Sequence, residues 1–292
     1  MKLQGAFTAM VTPFTSSGEV DWQQLVKNVN FQIDGGIDGL VPCGTTGESP
    51  TLDNVEHARV IEEVTKAAAG RVPVIAGTGS NSTVEAINLT QHAKEAGVDC
   101  VLSVNPYYNK PTQEGMYRHF MKIADVGVPV MLYNIPGRSG VALTGDTIYR
   151  LSQHPNIVAI KEATGSLDTA SEIAMTCGDD FIMVSGDDSM TIPLMSIGGK
   201  GVISVISNLL PARVKALTDA GLLGDFAQAR KLHLDLFKLC KGMLSIETNP
   251  IPIKTAMMFA GMDTGELRLP MCEMGDDNRV ILKKLLQDCG AL

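Results

Sequence analysis

The residue with the most chemistry to offer stands in Asn156-Ile157-Val158-Ala159-Ile160-Lys161-Glu162-Ala163-Thr164-Gly165. Four apolar residues run unbroken into Lys161, and a turn signal closes the stretch at Gly165. Such a short, β-branched-rich run predicts a strand buried on both faces. Alternation puts Ile157, Ala159 and Lys161 on one face and Val158 and Ile160 on the other. Burying an ammonium is costly unless it is paired or neutral. Desolvation favours the neutral amine, a nucleophile toward carbonyl carbon. The other reading of Lys161 is a strand-end lysine whose head reaches solvent along its own stem.

Four further groups have chemistry within reach. Gly44-Thr45-Thr46-Gly47-Glu48-Ser49 sets paired hydroxyls between two glycines, fit to hold a small carboxylate or simply to make a tight turn. Tyr133, in Tyr133-Asn134-Ile135-Pro136-Gly137-Arg138, offers a phenol that can donate and accept protons during imine formation, or a core tyrosine with a satisfied hydroxyl. Arg138 can fork onto a carboxylate or stand as an exposed loop arginine. Tyr107 and Tyr108, two of the chain's five tyrosines, lie between Pro106 and Pro111. In extended chain their rings point opposite ways, and exposed adjacent aromatics mark a subunit interface. Ser185-Gly186-Asp187-Asp188 and Ile203-Ser204-Val205 present small residues and backbone, which suits close approach by a small ligand.

Each of these groups falls at the end of a predicted strand. The strands are Ala6–Val11, Gly39–Cys43, Val72–Ala76, Cys100–Val104, Val130–Asn134, Ile157–Lys161, Phe181–Ser185 and Val202–Ile206. Helical patterns lie between them. One carries Val55, Ala58, Ile61, Val64 and Ala68 on a single face, and another carries Ala86, Leu89, Ala93 and Ala96. The second opens with Ser82-x-x-Glu85, a capping-box pattern, and ends at Gly97. Eight strands alternating with helices, with no Gly-rich dinucleotide turn in the right context, predict an α/β fold, a closed (β/α)8 barrel. In such a barrel the chemistry gathers at the C-terminal ends of the strands. Alternation turns Tyr133 inward beside the strand of Lys161.

The eighth helix is expected from Pro211 to Ala220. Beyond it come a helix with Phe226, Ala229, Leu232, Leu236, Leu239 and Met243 on one face, one from Pro250–Pro252 to Gly261, and one from Asp277 to Cys289. The predicted organisation is a barrel over residues 1–224 and a C-terminal helical region over 225–292.

A net charge of −8 without a basic run argues against a nucleic-acid partner. The six cysteines are far apart, with no C-x-x-C and no histidine at a ligand spacing. They suggest neither a metal site nor a disulfide framework, but free thiols in a reducing cytoplasm. No run approaches the length of a membrane span, and the N-terminal apolar stretch is too short for a signal peptide, so no membrane association is expected.

Taken with Pro106-Tyr107-Tyr108-Asn109-Lys110-Pro111, Ile160-Lys161-Glu162-Ala163 and Asn249-Pro250-Ile251-Pro252-Ile253-Lys254, these motifs resemble the dihydrodipicolinate synthase family. That family lies within the pyruvate-dependent class I aldolases and N-acetylneuraminate lyases. The likeness runs from about Gly5 to the last helix. It implies a lyase that condenses pyruvate with L-aspartate 4-semialdehyde in the diaminopimelate and lysine pathway, with no cofactor. It implies a Schiff base on Lys161, and a proton relay of Tyr133, Thr45 and a Tyr108 supplied by the neighbouring subunit. Thr46 would hold pyruvate, Arg138 the second substrate's carboxylate, and backbone at Gly186 and Ile203 would complete the pocket. Self-association as a homotetramer, a dimer of dimers, is also implied.

Several members bind lysine at the same interface, and the matching positions are Ser49, Pro50, Asn54, His57, Asn81, Glu85 and Tyr107. Sensitive members often carry histidine where this chain has Asn54, and usually alanine where it has Pro50. Glu85 also has its capping role, and His57 could equally be an exposed helix residue. The rival readings are an N-acetylneuraminate or 2-keto-3-deoxy-sugar acid lyase, for which Arg138 is the wrong residue, and a barrel that only binds a small molecule.

Overall fold

A computed structural model describes residues 2–292. Eight strands form one parallel sheet: β1 (Gly5–Ala9), β2 (Gly39–Val41), β3 (Ile75–Gly77), β4 (Cys100–Val104), β5 (Val130–Asn134), β6 (Ile157–Glu162), β7 (Ile182–Ser185) and β8 (Gly201–Ser204). Their order is β2-β1-β8-β7-β6-β5-β4-β3, and a parallel bridge between Leu40 and Val74 joins β2 to β3. The ring with its intervening helices is the expected (β/α)8 barrel.

Alternation along the strands sorts the apolar residues into two layers. Phe7, Ala9, Val41, Ile75, Leu102, Met131, Tyr133, Ala159, Val184 and Ile203 fill the interior. Ala6, Leu40, Val101, Leu132 and Ile160 face outward into the larger cluster under the helices. With few aromatics in the chain, Phe7 fills much of the interior, and Gly39 makes room for it: a Cβ there would stand 2.5 Å from the ring.

Most strands differ from expectation by one to three residues at an end, β1 and β2 stopping two residues early, and three departures have a local reason. β3 starts later than Val72 because Pro73 has no N–H to give a ladder. β8 stops at Ser204 because the Asp188 carboxylate accepts from the N–H groups of Val205 (2.9 Å) and Ile206 (3.2 Å), turning the chain into a short 3₁₀ helix. β6 carries a bulge: Val130 pairs with Ile157, but Met131 pairs with Ala159. The extra residue turns Ile157 into the outer layer and Val158 toward the interior, so the predicted face holds for Ala159 and Lys161 and not for Ile157.

Helix faces show similar corrections. On Asn54–Ala68 the buried stripe runs through His57, Val60, Ile61, Val64 and Ala68, while Val55, in the first turn, is exposed. The reciprocal capping box forms here, between Asp53 and Glu56. On Thr83–Glu95, Ser82 caps the N–H of Glu85, but the Glu85 carboxylate accepts from Ser80 Oγ and does not reach back to Ser82.

After the eighth-strand helix (Pro211–Leu222) come helices Phe226–Ser245, Ile251–Phe259 and Asp276–Asp288. Leu236, Leu239, Met243, Ile253, Met257, Leu282 and Leu286 join the same outer cluster that lines the barrel. Phe226, expected on the buried face, is partly exposed. No helix of the described residues is long and apolar enough to cross a membrane.

Candidate active site

Lys161 ends the inward face of β6, level with Tyr133 of β5. It is buried, and its Nζ lies 4.2 Å from the centroid of the Tyr133 ring. No carboxylate of the described residues forms an ion pair with it. Burial therefore lowers its pKa to about 7, the charge of Arg138 pulls the same way, and only Asp188 pulls against them. An amine in this state is about half uncharged at neutrality, far more than an ordinary lysine, and the neutral form can attack a carbonyl.

Tyr133 answers with the opposite sign. Burial pushes its phenol up to about 12, against the positive charge of Arg138 and a hydrogen bond with Thr45. It stays protonated at neutral pH and can hand its proton on. Gly186, at the end of β7, leaves room for the lysine stem: a Cβ there would sit 3.0 Å from Lys161 Cε and 2.7 Å from the Ala163 Cβ. Ile203 of β8 packs in the same interior layer.

The strand ends are cross-tied. Asn105 Nδ2 donates to Asn134 Oδ1 (2.9 Å), Asn134 Nδ2 donates to Glu162 Oε2 (3.3 Å), and Glu162 Oε1 accepts from the Thr164 N–H (2.6 Å). These bonds fix the ends of β4, β5 and β6, and with them the spacing of Tyr133 and Lys161.

A cavity of about 370 Å³ opens at this rim. Thr45, Tyr133, Ile135 and Arg138 line its inner part, and Ser49, Pro50, Asn54, His57, Glu85 and Tyr107 line the same space farther out. Lys161, Thr46, Gly186 and Ile203 do not line it; Lys161 meets it through the Tyr133 ring. Six of the seven positions of the predicted second site thus come together, whereas Asn81 is off the cavity and accepts from Asn109 Nδ2 through its carbonyl (2.9 Å). His57 is buried, not on an exposed helix face, and its Nε2 has no partner.

Tyr107 and Tyr108 do part, though not by simple extension. Tyr108 has φ +71° and its ring is 90% exposed, outside the cavity that Tyr107 lines. The ring stands in water at a left-handed backbone position and takes no part in its own cavity.

Three groups at the site stand in motifs quoted above but had no role assigned to them. Asp188 is buried behind β8, its pKa raised to about 6 by that burial. Lys254, from helix Ile251–Phe259, is fully buried and donates to Glu48 Oε1 (2.8 Å) and the Thr12 carbonyl (3.0 Å). Asn249 precedes that helix, and its Nδ2 donates to Thr46 Oγ1 (3.0 Å) while its carbonyl accepts from Arg138 Nη2 (3.1 Å). A lysine among Ile251, Ile253, Ala256 and Met257 was the available signal for a buried charge, and Glu48 in a Gly/Thr loop was its counterpart. Among the described residues no three His, Cys, Asp or Glu side chains gather in a way that could hold a metal ion.

A buried amine with a lowered pKa, a protonated phenol, paired threonines and an arginine at one barrel rim can carry imine chemistry on a small keto acid. Known proteins agree. The sequence model of the Dihydrodipicolinate synthetase family matches residues 2–289. The 4-hydroxy-tetrahydrodipicolinate synthase of Geobacter sulfurreducens is 54% identical over 286 residues, 98% of each chain. The crystal structure of dihydrodipicolinate synthase from Aquifex aeolicus superposes with a TM-score of 0.97 at 49% identity, covering 99% of both chains. That of the Cyanidioschyzon merolae enzyme with lysine bound superposes with a TM-score of 0.96 at 39% identity, again over 99% of both. The chain belongs to the dihydrodipicolinate synthetase family.

Proposed function

We propose that this chain is a Schiff-base-forming lyase that condenses pyruvate with L-aspartate 4-semialdehyde to 4-hydroxy-tetrahydrodipicolinate. The observation that carries the reading is Lys161, buried, unpaired and beside the Tyr133 ring. Its amine attacks the keto carbon of pyruvate, water leaves, and the protonated imine draws electrons so that a methyl proton departs. The enamine attacks the aldehyde; the amine of the second substrate then displaces Lys161 and closes the ring. Thr46 holds the pyruvate carboxylate, with backbone at Gly186 and Ile203 beside it. Arg138, in the cavity lining, takes the carboxylate of the semialdehyde, which favours this acceptor over a sugar aldehyde. Tyr133 and Thr45 move the protons. Incubation with pyruvate and borohydride, followed by mass mapping, tests the reading: an adduct on Lys161 and turnover with aspartate semialdehyde but not N-acetylmannosamine is expected. Absence of the adduct would reject it.

Tyr108 completes the relay from a neighbouring subunit in a homotetramer, a reading supported by its 90% exposed ring outside its own cavity. Tyr108→Phe is expected to lower kcat about 10²-fold while pyruvate still traps on Lys161. Unchanged turnover would dismiss the shared relay. The free cysteines suit a cytoplasmic enzyme. Ser49, Pro50, Asn54, His57, Asn81, Glu85 and Tyr107 form a lysine site, supported by six of them sharing the cavity. Activity indifferent to millimolar L-lysine would reject it.

A further inference from the structure

Asn249 touches both groups assigned to the two substrate carboxylates, by different atoms. Its side-chain Nδ2 donates to Thr46 Oγ1 at 3.0 Å, and its main-chain carbonyl accepts from Arg138 Nη2 at 3.1 Å. Asn249 and Thr46 are both buried. The segment is anchored five residues on, where Lys254 donates to Glu48 Oε1 at 2.8 Å and to the Thr12 carbonyl at 3.0 Å. Thr12 Oγ1 in turn donates to the Gly47 carbonyl at 2.7 Å. The loop carrying Thr46 is therefore held on both sides, and the amide meets the hydroxyl at a fixed place.

A threonine hydroxyl has one hydrogen to give and two lone pairs to accept with. Because Asn249 donates, the Thr46 oxygen accepts, and the Thr46 hydrogen stays free. An anion bound at this loop needs that hydrogen. We propose that Asn249 is a positioning residue that keeps the Thr46 hydroxyl as a donor to the pyruvate carboxylate, and that the same residue steadies Arg138 for the second substrate through its backbone alone. The inference rests on the reading of Lys161 and Thr46 given above.

The two atoms predict separable effects. Asn249→Ala removes the amide and keeps the carbonyl. It should raise the KM for pyruvate about tenfold, the loss of one directed hydrogen bond to a charged group's partner, and leave the KM for aspartate semialdehyde within about twofold. Asn249→Asp is nearly isosteric but its carboxylate only accepts, so Thr46 must spend its hydrogen on it and the site gains a negative charge. At pH 8 it should be worse than Asn249→Ala, with a pyruvate KM raised about 100-fold or more.

A residue needed only for packing predicts the reverse order, with the isosteric aspartate milder than alanine. The experiment is steady-state kinetics for both substrates on wild type and both variants. It is paired with the pyruvate concentration that half-saturates borohydride trapping on Lys161, and with a thermal melt of each protein. Absence of the wild-type adduct would sink the imine reading itself. A normal wild-type adduct, with aspartate as good as or better than alanine, or with pyruvate half-saturation unmoved in both, would overturn the role of Asn249 and leave the imine reading intact. If the alanine variant does not fold, the aspartate variant against wild type decides: half-saturation raised supports the role, and unmoved overturns it.

Discussion

Two lysines are buried at the catalytic end of this barrel, and they have opposite fates. Lys161 and Lys254 are 7% and 0% exposed, and each sets its Nζ 4.2 Å from an aromatic centroid, Tyr133 and Phe14 respectively. Lys254 has a carboxylate at 2.8 Å and a carbonyl at 3.0 Å, so its charge is compensated where it lies. Lys161 has neither. Burial is common to both; what separates a reagent from a rivet is the missing counter-charge. For Lys161 the fall from 10.5 to about 7 corresponds to roughly 5 kcal/mol against the ammonium relative to a solvated lysine, at about 1.4 kcal/mol per unit. The charge of Arg138 also repels the ammonium and adds to that penalty.

The contrast is broken most directly by removing each lysine in turn. Lys161→Ala should lower condensation by about 10³-fold and abolish the borohydride adduct, while the melting temperature stays level or rises, since no ion pair is lost. A variant that condensed at full rate would end the distinction. Lys254→Met should do the opposite. It strands the Glu48 carboxylate and should cost about 3–5 kcal/mol of stability, read by denaturant unfolding, with Lys161 still trapped by pyruvate in whatever protein is folded. Adding Glu48→Gln should recover part of the loss; no recovery would mean that the ion pair is not what holds the helix.

The finest test is pH. A lowered lysine pKa means that the reactive neutral amine is lost as pH falls through about 7. Single-turnover imine formation should therefore drop about tenfold per unit below that point and level off above it. A rate still climbing past pH 9 would give Lys161 the character of an ordinary, paired or solvated lysine.

The barrel was legible in the sequence because its strands are short apolar runs ended by turn residues, and their order of chemistry-bearing ends survives small errors in their limits. Lys161 and Tyr133 stood out as polar residues late in such runs, and Thr45 and Arg138 as residues of the Gly/Thr and Pro/Gly turns that follow the strands. The face of Ile157 was not, because a one-residue bulge leaves no mark in composition. Nor was the early end of β8, which is decided by a carboxylate from the β7 loop. Asn249 and Lys254 read as the start of an outlying helix. Their partners stand some two hundred positions away, at a separation where periodicity carries no information.

That separation has a consequence for how the enzyme comes into being. The bonds from Asn249 to Thr46 and from Lys254 to Glu48 span 203 and 206 residues. On the ribosome the eight strands can emerge and begin to pair before either partner exists. The ring is then a vessel without a fastened rim, and the bonds that hold the Thr46–Glu48 loop wait for about the last seventh of the chain.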